Sequence, residues 1–117
     1  MSTRRRNAEA LDDKLQRTAP VFAALGDETR LRLVAKLCTG GPMSIAALSE
    51  GADITRQAIT KHLHVLADAG LVRGSREGRE SQWQLERENL DAARRSLDLI
   101  SQQWDAALGR LRAFVER

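Results

Sequence analysis

Gln57, Thr60, Lys61 and His64 recur at i, i+3, i+4 and i+7, the spacing that brings side chains onto one face of an α-helix. They offer an amide, a hydroxyl, an ammonium and an imidazole, groups that suit phosphates and base edges. Gln can pair bidentately with adenine, Thr can reach either partner or a thymine methyl, and Lys can read guanine or hold a phosphate. Thr55 and Arg56 stand at the start of the same stretch, where a helix dipole favours phosphate. The opposite face carries Ile59, Leu63 and Leu66, extended by Ala58, Val65 and Ala69. Thr55 is the expected N-cap, and Gly70 ends the helix before an apolar pair opens a strand. A polar helical stripe is usually just a solvated face, so its meaning depends on what stands beside it.

Other candidate chemistry is weak. His62 lies two residues from His64, about 200° around the helix, so the pair cannot chelate one ion; it borders the apolar face and is read as a partly buried packing histidine. Asp91, Asp98 and Asp105 share a face, but a spacing of seven separates neighbours by about 10.5 Å, too far for a common cation. Ion pairs Asp91–Arg95 and Arg94–Asp98 are expected instead. Cys38, the only cysteine, falls on an apolar stripe and is read as a small hydrophobe. A redox role would need an exposed thiolate. No Ser/His/acid arrangement, phosphate loop or ligand cluster stands out. The chain is read as a non-enzyme with no cofactor and no metal.

The elements that must position the polar stripe follow from periodicity and punctuation. Residues 1–7 contain Arg4, Arg5 and Arg6 and are expected to form a flexible basic arm, either solvated or touching nucleic acid. Ala8, Leu11 and Leu15 repeat at helical spacing up to about Thr18, since Pro20 disfavours helix in the residue before it. Val21, Phe22 and Leu25 are expected as a short apolar turn closed by Gly26. Asp27 can cap a helix whose stripe is Leu31, Val34 and Cys38, widened by Leu33 and Leu37, and which Gly40-Gly41-Pro42 ends. Ser44 caps a two-turn helix with Ile45 and Leu48, and a turn over residues 51–54 leads into the polar-striped helix. Short helix, Gly-containing turn, second helix: residues 44–69 have the helix-turn-helix pattern.

Residues 71–86 read as a hairpin. Ser81, Trp83 and Leu85 alternate with Gln82, Gln84 and Glu86, the period of a half-buried strand, and Gly78 supplies the positive φ of a tight turn. Arg73, Arg76 and Arg79 would give this wing a basic edge. Residues 87–116 read as one long helix in which Leu90, Ala93, Leu97, Ile100, Trp104, Ala107, Leu111 and Phe114 form four a/d heptads, thickened by Leu108 and Val115. Leu90 to Val115 would span about 39 Å, against a radius of gyration of about 13 Å for a compact domain of this size. Part of that stripe therefore needs a second chain. Leu11, Leu15, Leu97, Ile100, Trp104, Ala107, Leu108, Leu111 and Phe114 are the expected homodimer contacts.

With these elements in place, the chain resembles the ArsR/SmtB family of bacterial winged-helix repressors along nearly its whole length. The resemblance is carried by Leu25-Gly26-Asp27-Glu28-Thr29-Arg30-Leu31-Arg32-Leu33 and by Thr55-Arg56-Gln57-Ala58-Ile59-Thr60-Lys61-His62-Leu63 with Leu66 and Ala69-Gly70-Leu71-Val72. It implies a homodimer that sits on operator DNA near its own promoter and blocks transcription until a signal releases it. Well-known members sense metals through a Cys-x-Cys in the short helix before the turn, or through His and acidic ligands on the last helix. Here the short helix reads Ser44-Ile45-Ala46-Ala47-Leu48-Ser49-Glu50, and the last helix has no histidine. The metal-sensing part of the resemblance is not carried over.

Length and composition set the frame. A chain of 117 residues with 42% apolar and 30% charged residues suits a single soluble domain with a modest core. The net charge of +3 mildly favours an anionic partner. The first residues are basic without a following apolar region, and no run approaches 18 apolar residues, so neither a secretory signal nor a membrane span is expected. One cysteine suits a reducing compartment, so the cytoplasm is expected. The expected fold is mainly α (α+β): a winged helix-turn-helix with a two-stranded wing and a long C-terminal dimerisation helix. The expected function is sequence-specific regulation on a pseudo-palindromic double-stranded DNA operator. The alternatives are a protein-interaction module using the heptad helix, or a regulator responding to the redox state of Cys38.

Overall fold

The structure, a computed structural model, describes residues 3–116. Five helices and three short strands follow one another: α1 (Thr3–Leu25), α2 (Glu28–Gly40), β1 (Met43–Ser44), α3 (Ile45–Ser49), α4 (Arg56–Asp68), β2 (Val72–Glu77), β3 (Glu80–Leu85) and α5 (Arg87–Val115). The expected mainly helical winged helix-turn-helix is what forms. The N-caps are those the sequence indicates. Asp27 accepts from the Arg30 N–H, Ser44 from Ala47 and Thr55 from Ala58, at 3.0, 3.2 and 3.1 Å. Each satisfies an orphan donor of a first helical turn.

Three features of the elements differ from expectation. The two-stranded wing forms, and a further strand joins it in the order β1-β3-β2, with Met43 opposite Trp83 and Ser44 opposite Gln82. Two residues are too few to show a period of two, so only pairing with β3 makes β1 a strand. The basic segment is helical from Thr3 onward, with Arg5 reaching Glu9 across one turn at 3.4 Å; Met1 and Ser2 of the expected arm lie outside the described residues. Third, α1 runs straight through Pro20 to Leu25. An interior proline costs about 3 kcal/mol, but a buried apolar side chain returns about 1.5–3 kcal/mol. Beyond Pro20, Val21 and Ala24 are buried and Phe22 and Leu25 pack on the core, so tertiary packing outweighs the local preference.

The core joins Val21 and Ala24 of α1, Leu33, Val34 and Leu37 of α2, Leu48 of α3, Ile59, Leu63 and Leu66 of α4, Leu71 and Val72, Trp83 of β3 and Ala93 of α5. In α2 the buried stripe is Leu33, Val34 and Leu37, whereas Leu31 and Cys38 are exposed. Cys38 is thus not the small core hydrophobe expected of it. Val65 is likewise exposed and leaves the apolar face of α4 narrower than its composition suggests. The ion pairs expected along α5, Asp91–Arg95 and Arg94–Asp98, are not formed within 4.0 Å.

α1 and α5 pack side by side and antiparallel. The Thr18 hydroxyl meets the Ser96 hydroxyl at 3.1 Å, and Asn7 shares a groove with Gln103. The radius of gyration is 19.0 Å, with extents of 66 × 30 × 20 Å, well above the roughly 13 Å of a compact chain this long. Pairing the helices residue for residue from Asn7 and Gln103 brings Thr3 beside Ala107 and leaves Leu108 to Val115 past the start of α1. Along α5, Ala93 and Ser96 are buried, whereas Leu97, Ile100, Trp104, Leu108, Leu111, Phe114 and Val115 are exposed, Trp104 at 64% and Phe114 at 71%.

Gly70 is the joint between α4 and α5. Its φ of 74° belongs to the left-handed region, which side chains avoid. Its carbonyl accepts from the Asn89 amide at 2.9 Å, and a Cβ at Gly70 would collide with that same amide. Gly70→Ala should lower stability by about 1–3 kcal/mol for the backbone alone, and by more through the collision. In urea denaturation, Asn89→Ala added to Gly70→Ala should recover the collision part and leave the backbone part. Equal stability of Gly70→Ala and the wild type would refute both.

Candidate nucleic-acid interface

Helix α4 is placed by its apolar face. Ile59, Leu63 and Leu66 are fully buried, which turns Arg56, Gln57, Lys61 and His64 to solvent, all exposed. α3 and the turn over residues 50–55 hold its start. Lys36 of α2 reaches across to donate to the carbonyls of Leu48 and Glu50 at 3.1 and 3.2 Å, satisfying the C-terminal end of α3. The exposed stripe therefore comes from a helix anchored at its first turn, along its back and, through Gly70, at its end.

The candidate residues are not equivalent. Thr55 spends a hydroxyl lone pair on its cap, accepting from the Ala58 N–H. Thr60 is half-buried and donates its hydroxyl to the Arg56 carbonyl at 2.8 Å, so it presents its methyl and lone pairs outward rather than a donor. Arg73 sits at the base of the wing, where its guanidinium meets Glu86 at 3.0 Å and lies against the Gln84 amide. Arg76 and Arg79 are exposed towards the far end of the hairpin, the latter in the turn beside Gly78. Arg56, Gln57, Lys61 and His64 thus make one exposed group on α4, and Arg76 and Arg79 a second group on the wing. Arg73 is tied down between them.

His64 does more than face outward. Its ring stands edge-on to Trp83 at 5.7 Å and an interplanar angle of 89°, a favourable aromatic geometry. On its cross-strand side Trp83 lies over Gly74, where a Cβ would be 3.4 Å from the ring. Trp83 is 9% exposed, and among the described residues its buried indole N–H has no partner. The ring wedges the wing against α4 and so fixes the angle between the two exposed groups. Gly74 falls opposite Trp83 in the hairpin register, the one sequence signal that could have revealed this contact.

A second fastening was not read from the sequence at all. Arg30 of α2 donates Nε to the Ala24 carbonyl near the end of α1 at 2.6 Å, and Nη1 to His62 Nδ1 of α4 at 3.3 Å. Arginine has no acceptor, so His62 Nδ1 must accept. His62 also lies 3.9 Å from Asp27 Oδ2. The expected partly buried histidine is therefore a polar link joining α1, α2 and α4 through one guanidinium.

The site resembles a DNA reader in its architecture: a helix-turn-helix with a basic hairpin beside the second helix. Comparison with known proteins agrees. A family model described as a helix-turn-helix domain matches residues 25–75. The HTH-type transcriptional regulator Rv2034 of Mycobacterium tuberculosis is 35% identical over 87 residues, covering 74% of this chain and 78% of that protein. The arsenical resistance operon repressor of Bacillus subtilis is 29% identical over 83 residues, 71% of this chain and 79% of the repressor. An ArsR-like transcriptional regulator from Rhodococcus sp. RHA1 superposes with a TM-score of 0.72 at 34% identity, covering 85% of this chain and 92% of that one. The chain belongs to the ArsR-like family of winged helix-turn-helix transcriptional regulators. It is a DNA-binding regulator and not an enzyme. No helix of the described residues is long and apolar enough to cross a membrane.

Asp27 gives this assembly a dependence on acid. The Arg30 N–H that it accepts holds its carboxyl below the ordinary value, desolvation opposes this, and the charge of the Arg30 guanidinium adds to the lowering. A depressed carboxyl stabilises the fold above its unfolded pKa and loses that contribution as pH falls through its folded pKa. Asp27→Asn keeps a capping oxygen but cannot titrate. Between about pH 5 and pH 2 its urea midpoint should fall less than that of the wild type; parallel curves would reject the assignment.

Proposed function

We propose that the chain acts as a homodimer that occupies a pseudo-palindromic operator and represses its own or a neighbouring promoter in the cytoplasm, without the metal site known from relatives. The observation that carries this reading is the exposed apolar stripe of α5. Leu97, Ile100, Trp104, Leu108 and Leu111 form a patch that α1 does not cover, and contiguous apolar surface of this kind is a liability for a lone soluble chain. A second copy of the same helix is a self-complementary partner. Leu11 and Leu15 of α1 are half-buried and, with Ala107 and Phe114, would complete the contact. For the metal, the short helix before the turn carries no cysteine and the last helix no histidine, so neither ligand set of the metal-sensing relatives is present in the sequence.

On DNA, Gln57 and His64 would face base edges, with the Thr60 methyl beside them, and Lys61 would hold a phosphate. Thr55 and Arg56 would hold phosphate at the helix start, and Arg76 and Arg79 would follow the backbone. Arg73 would act mainly through the wing's shape. A thiol-responsive regulator is the second reading, favoured by the exposure of Cys38.

Two experiments test this. Light scattering should give twice the 13.0 kDa chain mass, and Leu108→Glu with Trp104→Glu should give a folded monomer; a monomeric wild type would refute the dimer. Footprinting on the upstream region should show two half-sites about 34 Å apart. Lys61→Ala should weaken all sequences alike and reduce the salt slope by about one, whereas Gln57→Ala should lose about 1–3 kcal/mol of discrimination at one base pair. Uniform weak binding at low salt would refute sequence-specific reading. An oxidant-dependent footprint abolished by Cys38→Ser would establish the second reading.

A further inference from the structure

A groove of about 280 Å³ lies between α1 and α5, at the end of the helix pair nearer α4. Its floor is polar, which is unusual between two packed helices. Thr18 and Ser96 are 6% and 1% exposed. The Thr18 hydroxyl donates to the Lys14 carbonyl at 2.8 Å. Its single hydrogen is thereby used, and Ser96 must be the donor in their 3.1 Å contact. The floor therefore keeps lone pairs and no free hydroxyl hydrogen. Around the rim stand Lys14, Arg17 and Arg95, with the Asn89 amide. Among the described residues no acidic one lines the groove. Among the described residues Lys14 and Arg95 have no carboxylate within 4.0 Å, and Arg17 has only an exposed, distant one, Asp13 at 3.9 Å.

We propose that this groove binds a small organic carboxylate and passes its presence to α4. Lys14, Arg17 and Arg95 stand together with one long ion pair, Arg17–Asp13 at 3.9 Å, as their counter-charge, and an anion between them relieves their mutual repulsion. Guanidinium groups match a carboxylate through paired N–H donors. Val21 and Ala92 supply an apolar wall, and the volume is at the lower end of ligand pockets, about 300 Å³. The ligand is accordingly a compact monocarboxylate with a short apolar body. An inorganic anion would leave that wall uncovered. The route to α4 is Asn89: its amide lines the groove and also donates to the Gly70 carbonyl at the end of α4. A ligand that draws this amide towards itself loosens the joint of the recognition helix. On α5 the groove residues are centred roughly 110° around the helix from the Leu97–Leu111 stripe, at 100° per residue, so the groove faces away from the centre of the proposed contact.

Thermal unfolding of the full chain with benzoate, hexanoate, benzyl alcohol or sodium phosphate, at matched ionic strength, tests binding without DNA. Ligand binding to the folded state raises the midpoint. Benzoate or hexanoate should raise it, while benzyl alcohol and phosphate should not. Lys14→Gln with Arg95→Gln should weaken the carboxylate by about tenfold or more, and Arg94→Gln, on the opposite side of α5, should leave it unchanged. No response to either carboxylate, an equal response to phosphate, or an undiminished response in the double variant would overturn the site. The signalling half rests on the DNA-binding reading: carboxylate should lower operator affinity in the wild type and not in Asn89→Ala. Binding without that loss overturns the coupling while leaving operator recognition intact.

Discussion

The burial of three side chains, Ile59, Leu63 and Leu66, is the constraint on which the interface depends. All three are fully removed from solvent, and each such burial is worth about 1.5–3 kcal/mol. Rotating α4 by one residue would expose part of this face and turn Thr60 and His64, or His62, into the core, so the hydrophobic term fixes which groups face outward. The N-cap at Thr55, the Lys36 clasp on α3 and the left-handed Gly70 then fix where the helix begins and ends. Recognition chemistry needs side chains held by a rigid scaffold. The core and these three fastenings supply it.

The wing adds a second fixed reference. Trp83 fills the angle between α4 and the hairpin, with Gly74 on one side and the His64 ring on the other. A side chain that faces the proposed DNA surface is thus also a packing group. His64 cannot be assigned wholly to either duty, and the same holds for Arg73, held by Glu86. Arg30 plays the corresponding part on the other side of α4, where it bridges the end of α1 and His62.

α5 divides its circumference between two tasks. One face packs along α1 and ends in a polar, cation-rimmed groove; another carries large apolar side chains that α1 leaves uncovered. The antiparallel pairing of α1 and α5 makes the chain elongated, at 66 Å in its longest dimension. It also extends the last turns of α5 beyond α1, the helix packed along it. Asn89, at the start of α5, ties this arm to the end of the reading helix.

Much of this was legible in the residues. Caps at Asp27, Ser44 and Thr55, stops at Gly41, Gly70 and Gly78, and the stripes of α4 and α5 are short-range signals, set by local hydrogen bonding and by the 3.6-residue period. The sequence by itself therefore determined the order of the elements, the apolar face of α4 and the exposed candidates Gln57, Lys61 and His64. Tertiary structure decided the rest, because it turned on competition between near-equal local choices. α2 offered two overlapping stripes, and the core took Leu33, Val34 and Leu37, leaving Cys38 outside. Pro20 argued for a stop, and the burial of Val21 and Ala24 overruled it. Met43 and Ser44 became a strand only because β3 was there to pair with them. The Arg30–His62 link, the Trp83 wedge and the Thr18–Ser96 floor join residues 9 to 78 positions apart, beyond the reach of any local pattern.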